Sequence, residues 1–544
     1  YGTQRSRPAW NADFAELWEL DANGERITRL ASWEATPIAL AQDSVSGEAN
    51  TTVVDVGSGT RADDYKDVKG KLVLTSSQPG AVASLAIGRF GAAGIISYAQ
   101  NQRTGWYGED ETLVRWGHLD TFAPENERTF AFMVSLQSGR ALQARLARGE
   151  SVRLHAIVRA GQEPGAYDLA TAIIPGSELR EQEIVFSCHL DHPRPGANDN
   201  ASGCATILEV ARTLSKLIAD KRIAPPRRTL RFVWPPEIEG TLALLNGRPQ
   251  IAQRTKAAIH LDMVGGGPET KAIFHVTRGP ASQPSFIYDV AQSVGMLANE
   301  QSAEFAMTGS ARWPMLASDG SKDPLRAAFV PLTLGSDHQV YSDSSFGIPA
   351  IYMNDWPDRY IHTNRDVPAN IDSTKLERVA FIAAASGYAL ATIDANDTAA
   401  LNEMLDAFAL ERRATAMRSK TMRFAEWYEA RMKASLSSFL SGTREAAPAP
   451  ARVNNEGVIY RRNPAIKGTM SAFGYDYFTA HYKEHATIRL GEEYRYEALN
   501  LANGARTTRE IHEMLTAIYG AVPLEDVEQY LAALASIDVL QSLR

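Results

Sequence analysis

The chain has 544 residues, a formal net charge of −8 and two cysteines. This length predicts several domains with a large core, and the acidic balance gives no reason to expect nucleic acid or an acidic membrane surface as a partner. No apolar run reaches the ~18 residues of a membrane span, and two cysteines do not make a disulfide framework.

The N-terminal part of the chain predicts a short segment over residues 1–35 and a β-rich domain over residues 36–160. Within that domain, residues 70–98 predict a strand, a helix and a strand in turn. Residues 53–60 imitate a nucleotide-binding strand and glycine turn, but the next strand begins near Lys71, where that motif requires a helix. A nucleotide site is therefore not expected in this domain.

Residues 161–397 place imidazole and carboxylate groups at the ends of predicted strands. A buried strand over residues 184–188 is followed by His189 and Asp191, and Asp199 comes before a helix that begins near residue 203. Taken alone, Asp199 is also typical of a helix N-cap. Ligands bind at the carboxyl ends of strands in open α/β sheets.

Later predicted strands are followed by more groups of the same kind: Glu237, Glu239, Asp262 and His362. Histidines together with several carboxylates suit a zinc ion that keeps one position open for water. The residues by themselves therefore predict a metal-dependent hydrolase.

As a set, these residues resemble the clan MH zinc peptidases, which include bacterial leucyl aminopeptidase, aminopeptidase Y, glutamate carboxypeptidase and glutaminyl cyclase. The motifs that carry the resemblance occur in the family's order over residues 165–395: His189-x-Asp191, Asp199-Asn200-Ala201-Ser202-Gly203, Glu237, Asp262, Ser336-Asp337-His338 and Tyr360-x-His362-Thr363. The resemblance implies an α/β fold with a zinc exopeptidase-type mixed sheet flanked by helices. It also implies a zinc-dependent exopeptidase acting on peptides, most simply an aminopeptidase.

The resemblance further implies a role for each residue, with one or two zinc ions per chain. The implied metal ligands are His189 and Asp262 for one ion, Asp199 as a bridge, and His362 for the second ion. Asp191 would orient His189 through its other ring nitrogen. Glu237 would be the general base, which takes a proton from water and delivers it to the leaving amine.

One position departs from the family's pattern of two adjacent glutamates. Ile238 stands where the second ion's carboxylate is expected, between Glu237 and Glu239. Because side chains alternate along an extended strand, Glu239 could face the same way as Glu237 and bind the second ion. Alternatively the enzyme works with one ion, as the resemblance to glutaminyl cyclase allows. The sequence leaves both alternatives open.

Four more residues are candidates for contacts with the substrate. Asp337 and His338 would hold the substrate amine or support the metal ligands, and His338 is also an alternative metal ligand. Tyr341 and Tyr360 are candidate donors to the tetrahedral oxyanion. The sequence does not exclude a carboxypeptidase, since three arginines could bind a substrate carboxylate: Arg312, Arg359 and Arg365.

The flanking regions predict accessory modules. The domain over residues 36–160 resembles the protease-associated domain, which would shape access to the active site. A helical region is expected over residues 398–442. A winged-helix-like module is expected over residues 443–544, and a proline-containing linker at residues 445–451 lies near its start. Acidic side chains slightly outnumber basic ones in that module. Domain packing or homo-oligomerisation is therefore expected there instead of DNA binding.

Two other functions are weighed against the aminopeptidase. A glutaminyl cyclase-type mononuclear zinc acyltransferase is disfavoured by the extra modules, and a catalytically inactive binding protein is disfavoured by the retained ligands. The first residue is Tyr1 and not methionine, which suggests a removed leader or a trimmed sequence. A periplasmic or secreted location is expected, because the resemblance is to exported peptidases. Cys188 and Cys204 are expected as buried thiols, with a bridge between them as the alternative.

Overall fold

The computed structural model describes residues 7–100, 110–192, 194–442, 457–470, 477–483 and 487–543. The strands are β1 (Ala9–Leu20), β2 (Arg26–Ser32), β3 (Gly47–Asp55), β4 (Leu72–Thr75), β5 (Gly94–Ser97), β6 (Ala131–Met133), β7 (Arg153–Glu163), β8 (Ala170–Ile174), β9 (Leu179–Ser187), β10 (Arg228–Trp234), β11 (Thr255–Asp262), β12 (Phe274–Thr277), β13 (Ala328–Val330), β14 (Ala350–Asp355), β15 (Ile459–Arg462), β16 (Asn503–Thr507) and β17 (Leu540–Ser542). The helices are α1 (Pro79–Ala83), α2 (Leu136–Ala147), α3 (Gly203–Ala219), α4 (Glu239–Gly247), α5 (Pro249–Arg254), α6 (Ile287–Thr308), α7 (His338–Tyr341), α8 (Ser373–Thr392), α9 (Thr398–Ser419), α10 (Met422–Ser441), α11 (Tyr477–His481), α12 (Glu492–Leu501), α13 (Thr508–Tyr519) and α14 (Leu524–Ser536).

The N-terminal domain is built on a seven-stranded sheet of order β2-β1-β7-β3-β4-β5-β6. β4 and β5 pair in parallel and are joined through α1, so the predicted strand, helix and strand over residues 70–98 are confirmed. β1 pairs antiparallel with β7 from Ala9 to Leu20. The separate segment expected over residues 1–35 is therefore not a domain of its own, because β1 and β2 belong to this sheet.

The second domain is built on a mixed sheet of order β13-β12-β14-β11-β9-β10-β8, in agreement with the predicted fold class. Its four central strands, β14, β11, β9 and β10, are parallel neighbours. Both faces of this part of the sheet are buried, since successive residues of β9 such as Ile184, Val185 and Phe186 are almost fully covered. The carboxyl ends of the four strands therefore meet along one edge.

The helical region predicted over residues 398–442 is helical but is not a separate domain. Side chains of α9 and α10, among them Leu405, Met432 and Leu436, join the core that also contains Phe186 of β9 and Val379 of α8. No single described helix has the length and apolar composition of a membrane span, and α8 passes that test only together with the segment Ala395–Ser419, at a bend of 111°.

The C-terminal module contains α12, α13 and α14, a three-stranded antiparallel sheet of order β16-β15-β17, and a core of its own. It packs against the second domain through α12. The Tyr496 hydroxyl donates to the Gln339 carbonyl at 2.6 Å, and the Glu497 carboxylate accepts the N–H groups of Ala281 and Ser282 at 2.6 and 3.0 Å. The predicted linker at residues 445–451 lies outside the described residues.

Candidate metal centre

The candidate site lies where the four parallel strands end. His189 follows β9 by two residues, Glu237 follows β10, and Asp262 is the last residue of β11. His362 lies in the loop after β14, and Asp199 lies in the turn that leads into α3. The sheet therefore brings together residues that are as much as 173 positions apart in the sequence.

The first cluster consists of His189, Asp199 and Asp262. The His189 Nε2 atom lies 3.2 Å from Asp199 Oδ1 and 3.1 Å from Asp262 Oδ1. All three side chains are buried. This is the group that the resemblance implied as the ligands of one ion.

The second cluster consists of His192, Asp199 and His362. Both imidazoles point their Nε2 atoms at Asp199 Oδ2, at 2.9 Å from His192 and 3.0 Å from His362. The two carboxylate oxygens of Asp199 thus serve different clusters. This arrangement fits the bridging role that the resemblance implied for Asp199.

The donor atoms of each cluster fit a zinc ion. Within each cluster, the candidate ligand atoms all lie within 4.8 Å of one another. In a tetrahedral zinc site with bonds of about 2.0 to 2.1 Å, neighbouring donors are about 3.3 Å apart. The separations of 2.9 to 3.2 Å between each imidazole nitrogen and its carboxylate oxygen are close to that value.

Asp191 contacts His189 most closely through its backbone carbonyl, whereas the resemblance implied a contact through its carboxylate. The His189 Nδ1–H donates to the backbone carbonyl of Asp191 at 2.9 Å, and the carboxylate lies farther away, at 3.7 Å. That bond leaves Nε2 facing the carboxylates of the first cluster. The Asp191 carboxylate instead accepts the backbone N–H of Glu237 at 2.6 Å. The Asp191 side chain thus contacts both His189 and the loop of Glu237.

Glu237 lies close enough to the first cluster for its charge to interact with those of the cluster. Removal from water raises the pKa of Glu237 well above its usual range, His189 opposes this increase, and Asp262 adds to it. The loop is also held at the next residue, where the Ile238 N–H donates to Asp337 Oδ1 at 2.8 Å. A carboxyl group beside a cluster of metal-type donors is placed to act as a general acid or base.

The prediction that Glu239 binds the second ion is wrong, because β10 ends at Trp234 and Glu239 begins α4. The alternation of side chains along a strand does not apply there. The Glu239 carboxylate accepts a bond from Arg7 Nε at 2.9 Å and contacts the hydroxyl of Tyr167. Ile238 also supplies no ligand, since it is buried in an apolar cluster with Val340.

Two predicted substrate contacts are also corrected, because the side chains of Asp337 and His338 are fully buried. Asp337 supports the Glu237 loop, and burial raises its pKa to about 7. His338 stacks on Tyr352 with ring centroids 3.9 Å apart, and its Nε2–H donates to the Thr333 carbonyl at 2.7 Å. His338 belongs to neither cluster, so it is not a metal ligand.

The two candidate tyrosines differ in exposure. Tyr341 is buried in the apolar cluster with Ile238, which leaves its hydroxyl unable to reach a substrate. Tyr360 is partly exposed and lies two residues before His362, with the Arg359 guanidinium 5.3 Å from its ring centroid. Tyr360 therefore remains a prediction as an oxyanion donor.

Sequence reasoning missed two residues that build the site. His192 is a donor of the second cluster, and its position three residues after His189 was the available signal. Asp366 holds the turn with Asp199, because its carboxylate accepts the N–H groups of Asn198 and Asp199 at 2.7 and 3.0 Å. Burial raises the pKa of Asp366 to about 7.

The N-terminal domain contacts the loop of His362. The Trp116 N–H donates to the His362 carbonyl at 2.8 Å, and the two rings meet edge to face with centroids 5.1 Å apart. A single β-bridge joins Arg115 to Thr363. This domain therefore forms part of the wall beside the second cluster.

Comparison with known proteins finds similarity to peptidases in the second domain. The sequence model of Peptidase family M28 matches residues 170–386. This part of the chain is therefore similar to peptidase family M28. Leucine aminopeptidase 1 of Pyrenophora tritici-repentis is 29% identical to the chain over 164 residues, which cover 27% of this chain and 41% of that protein. Leucine aminopeptidase 1 of Phaeosphaeria nodorum is 27% identical over 163 residues, which cover 27% of this chain and 41% of that protein. The matches thus span about two fifths of the length of these relatives.

Solved structures resemble this chain at low sequence identity. A zinc aminopeptidase from Bacillus subtilis has a TM-score of 0.46 and 18% identity, covering 71% of this chain and 85% of its own. A peptidase M28 precursor from Shewanella amazonensis has a TM-score of 0.48 and 15% identity, with coverages of 71% and 82%.

Proposed function

We propose that the chain is a zinc-dependent exopeptidase, most simply an aminopeptidase that hydrolyses N-terminal residues of peptides. The observation that carries the proposal is Glu237, a carboxyl group with a raised pKa beside a cluster of buried zinc-type donors. A proton carrier next to a zinc site is what peptide-bond hydrolysis requires.

In this mechanism His189, Asp199 and Asp262 would hold zinc. When bound, zinc supplies Lewis acidity, which lowers the pKa of water and polarises the substrate carbonyl. Glu237 takes a proton from the attacking water on a carboxylate oxygen and delivers it to the leaving amine nitrogen. Asp191 and Asp337 hold the Glu237 loop in place by accepting the N–H groups of Glu237 and Ile238.

Two observations favour an aminopeptidase among exopeptidases. The curated relatives that match the M28 region are leucine aminopeptidases. Each arginine considered for a substrate carboxylate contacts another group: Arg312 lies over the Trp313 ring, Arg359 pairs with Asp110, and Arg365 donates to Thr112.

The N-terminal domain is proposed to limit access to the site as a protease-associated-like module, since Trp116 lies against His362. A periplasmic or secreted location and homo-oligomerisation through the C-terminal module stay predictions.

The experiment is hydrolysis of a panel of aminoacyl anilides by the zinc-loaded full chain, with and without chelator, compared with Glu237→Gln. Release of the aniline that stops with chelator and is lost in the variant would support the proposal. Cyclisation of an N-terminal glutamine without hydrolysis would favour the acyltransferase. If the zinc-loaded chain turns over none of these substrates, the proposal that the protein is an enzyme is contradicted.

A further inference from the structure

The second cluster contains a donor that neither the family pattern nor the sequence analysis assigned. The position where a carboxylate is expected for a second ion holds Ile238, whose side chain packs against Val340 in an apolar cluster. Glu239 is directed to Arg7 and Tyr167. The loop that carries Glu237 therefore supplies no ligand to the second cluster.

His192 lies where that ligand would be needed. Its Nε2 atom is 2.9 Å from Asp199 Oδ2, on the same oxygen that His362 Nε2 contacts at 3.0 Å. The two imidazole rings have centroids 5.2 Å apart and planes inclined by 36°. Two imidazole nitrogens and one carboxylate oxygen thus converge on one point between them.

The chain around His192 is shaped to keep it there. A Cβ at Gly196 would lie 2.8 Å from His192 Nδ1 and 2.6 Å from the Asp199 carbonyl oxygen. Only glycine leaves room for the imidazole against the turn, because both contacts are shorter than real Cβ atoms make. Asp366 fixes the other side of the turn by accepting the N–H groups of Asn198 and Asp199.

We propose that His192 is a metal ligand which replaces the carboxylate lost at Ile238, so that a second ion binds to His192, Asp199 and His362. This inference depends on the proposed function in one respect, namely that the first cluster also binds an ion. The first cluster has two carboxylates and one imidazole, whereas the second has one shared carboxylate and two imidazoles. Imidazole donors suit zinc and other late first-row metals, whereas carboxylate and water donors suit magnesium and manganese. The second site is therefore expected to prefer zinc over magnesium or manganese.

The test is metal stoichiometry, with activity not used as a readout. The full chain is stripped with chelator, dialysed against zinc, and analysed for zinc per chain by mass spectrometry. His192→Ala is expected to bind one ion where the unchanged chain binds two, and His192→Asp, which returns a carboxylate, is expected to recover the second. Glu239→Gln is the matched control, since that side chain is outside both clusters, and it is expected to bind two.

Titration with cobalt provides a second readout through its visible absorption. The unchanged chain is expected to show two successive steps and His192→Ala only the first, with circular dichroism confirming that the variant is folded. Two ions in His192→Ala with unchanged affinity would overturn the proposal, as would a single ion in the unchanged chain. If the unchanged chain binds two ions but has no peptidase activity, the second metal site is supported and only the proposed function is contradicted.

Discussion

The two clusters share Asp199 but are built by different parts of the fold. In the first cluster His189 and Asp262 come from the ends of adjacent central strands, β9 and β11. In the second, His192 and His362 both come from loops, and His362 is about a quarter exposed. Ligands at strand ends are fixed by the hydrogen bonds of the sheet. The positions of ligands on loops depend on tertiary contacts that cannot be inferred from the pattern of strands in the sequence. The contact of Trp116 with His362 is one example.

The largest effect is expected for Asp199→Asn, which removes one carboxylate from both clusters at once. We expect loss of both ions and of all chelator-sensitive hydrolysis, because the amide offers a single weak oxygen donor. Zinc per chain and turnover would be measured on the same preparation. Retention of one ion would show that one of the two clusters binds metal without the Asp199 carboxylate.

Glu237→Gln is expected to keep both ions and to lower turnover on the order of 10²- to 10⁴-fold, because the amide cannot carry the proton. This separates proton transfer from metal binding. The measurements are kcat for an aminoacyl anilide and zinc per chain. A loss of zinc in this variant would indicate that Glu237 is itself a metal ligand in one of the clusters.

Asp191→Ala tests which atom orients the first cluster. The His189 Nδ1–H bonds to the carbonyl of residue 191, which alanine retains. We therefore expect unchanged zinc content and a decrease in turnover on the order of 10-fold, since the Glu237 N–H loses its acceptor. Zinc affinity would be measured by competition with a chelating dye. A decrease in that affinity would indicate that the Asp191 carboxylate, and not its backbone carbonyl, orients His189.

The smallest effect on the clusters is expected for Glu497→Gln, which lies at the contact with the C-terminal module. Burial raises the pKa of Glu497 from 4.5 to about 7 in the folded chain. A raised pKa gives stability that is present below about pH 4.5 and is lost as the pH rises through about 7. The melting temperature of the variant relative to the unchanged chain should therefore increase between about pH 5 and about pH 8, with zinc content unchanged. A difference that is independent of pH would contradict this assignment.

Buried strands followed by polar groups predicted a metal site at the carboxyl ends of a sheet, and the resemblance to the zinc peptidases implied the mixed sheet and the residues of the first cluster. The prediction that Glu239 is a metal ligand was wrong, because a helix begins at Glu239 where the sequence had suggested that the strand continues. Sequence reasoning missed His192, which acquires its role only when the turn around Gly196 brings it back onto Asp199. The domain boundaries at residues 35 and 398 were wrong for a related reason, since β1 pairs with β7 and α9 and α10 pack on a core formed by distant residues.

Three of the five cluster donors, His189, His192 and Asp199, lie in one short stretch of the chain. A chain that has lost its tertiary structure still keeps these groups within reach of one another, so it retains some capacity to capture zinc. Binding to the denatured chain subtracts from the stability that a metal gives to the native one. Zinc should therefore raise the thermal stability of this protein by less than its native affinity alone would give, while allowing a newly made chain to acquire its first ion before the sheet has closed.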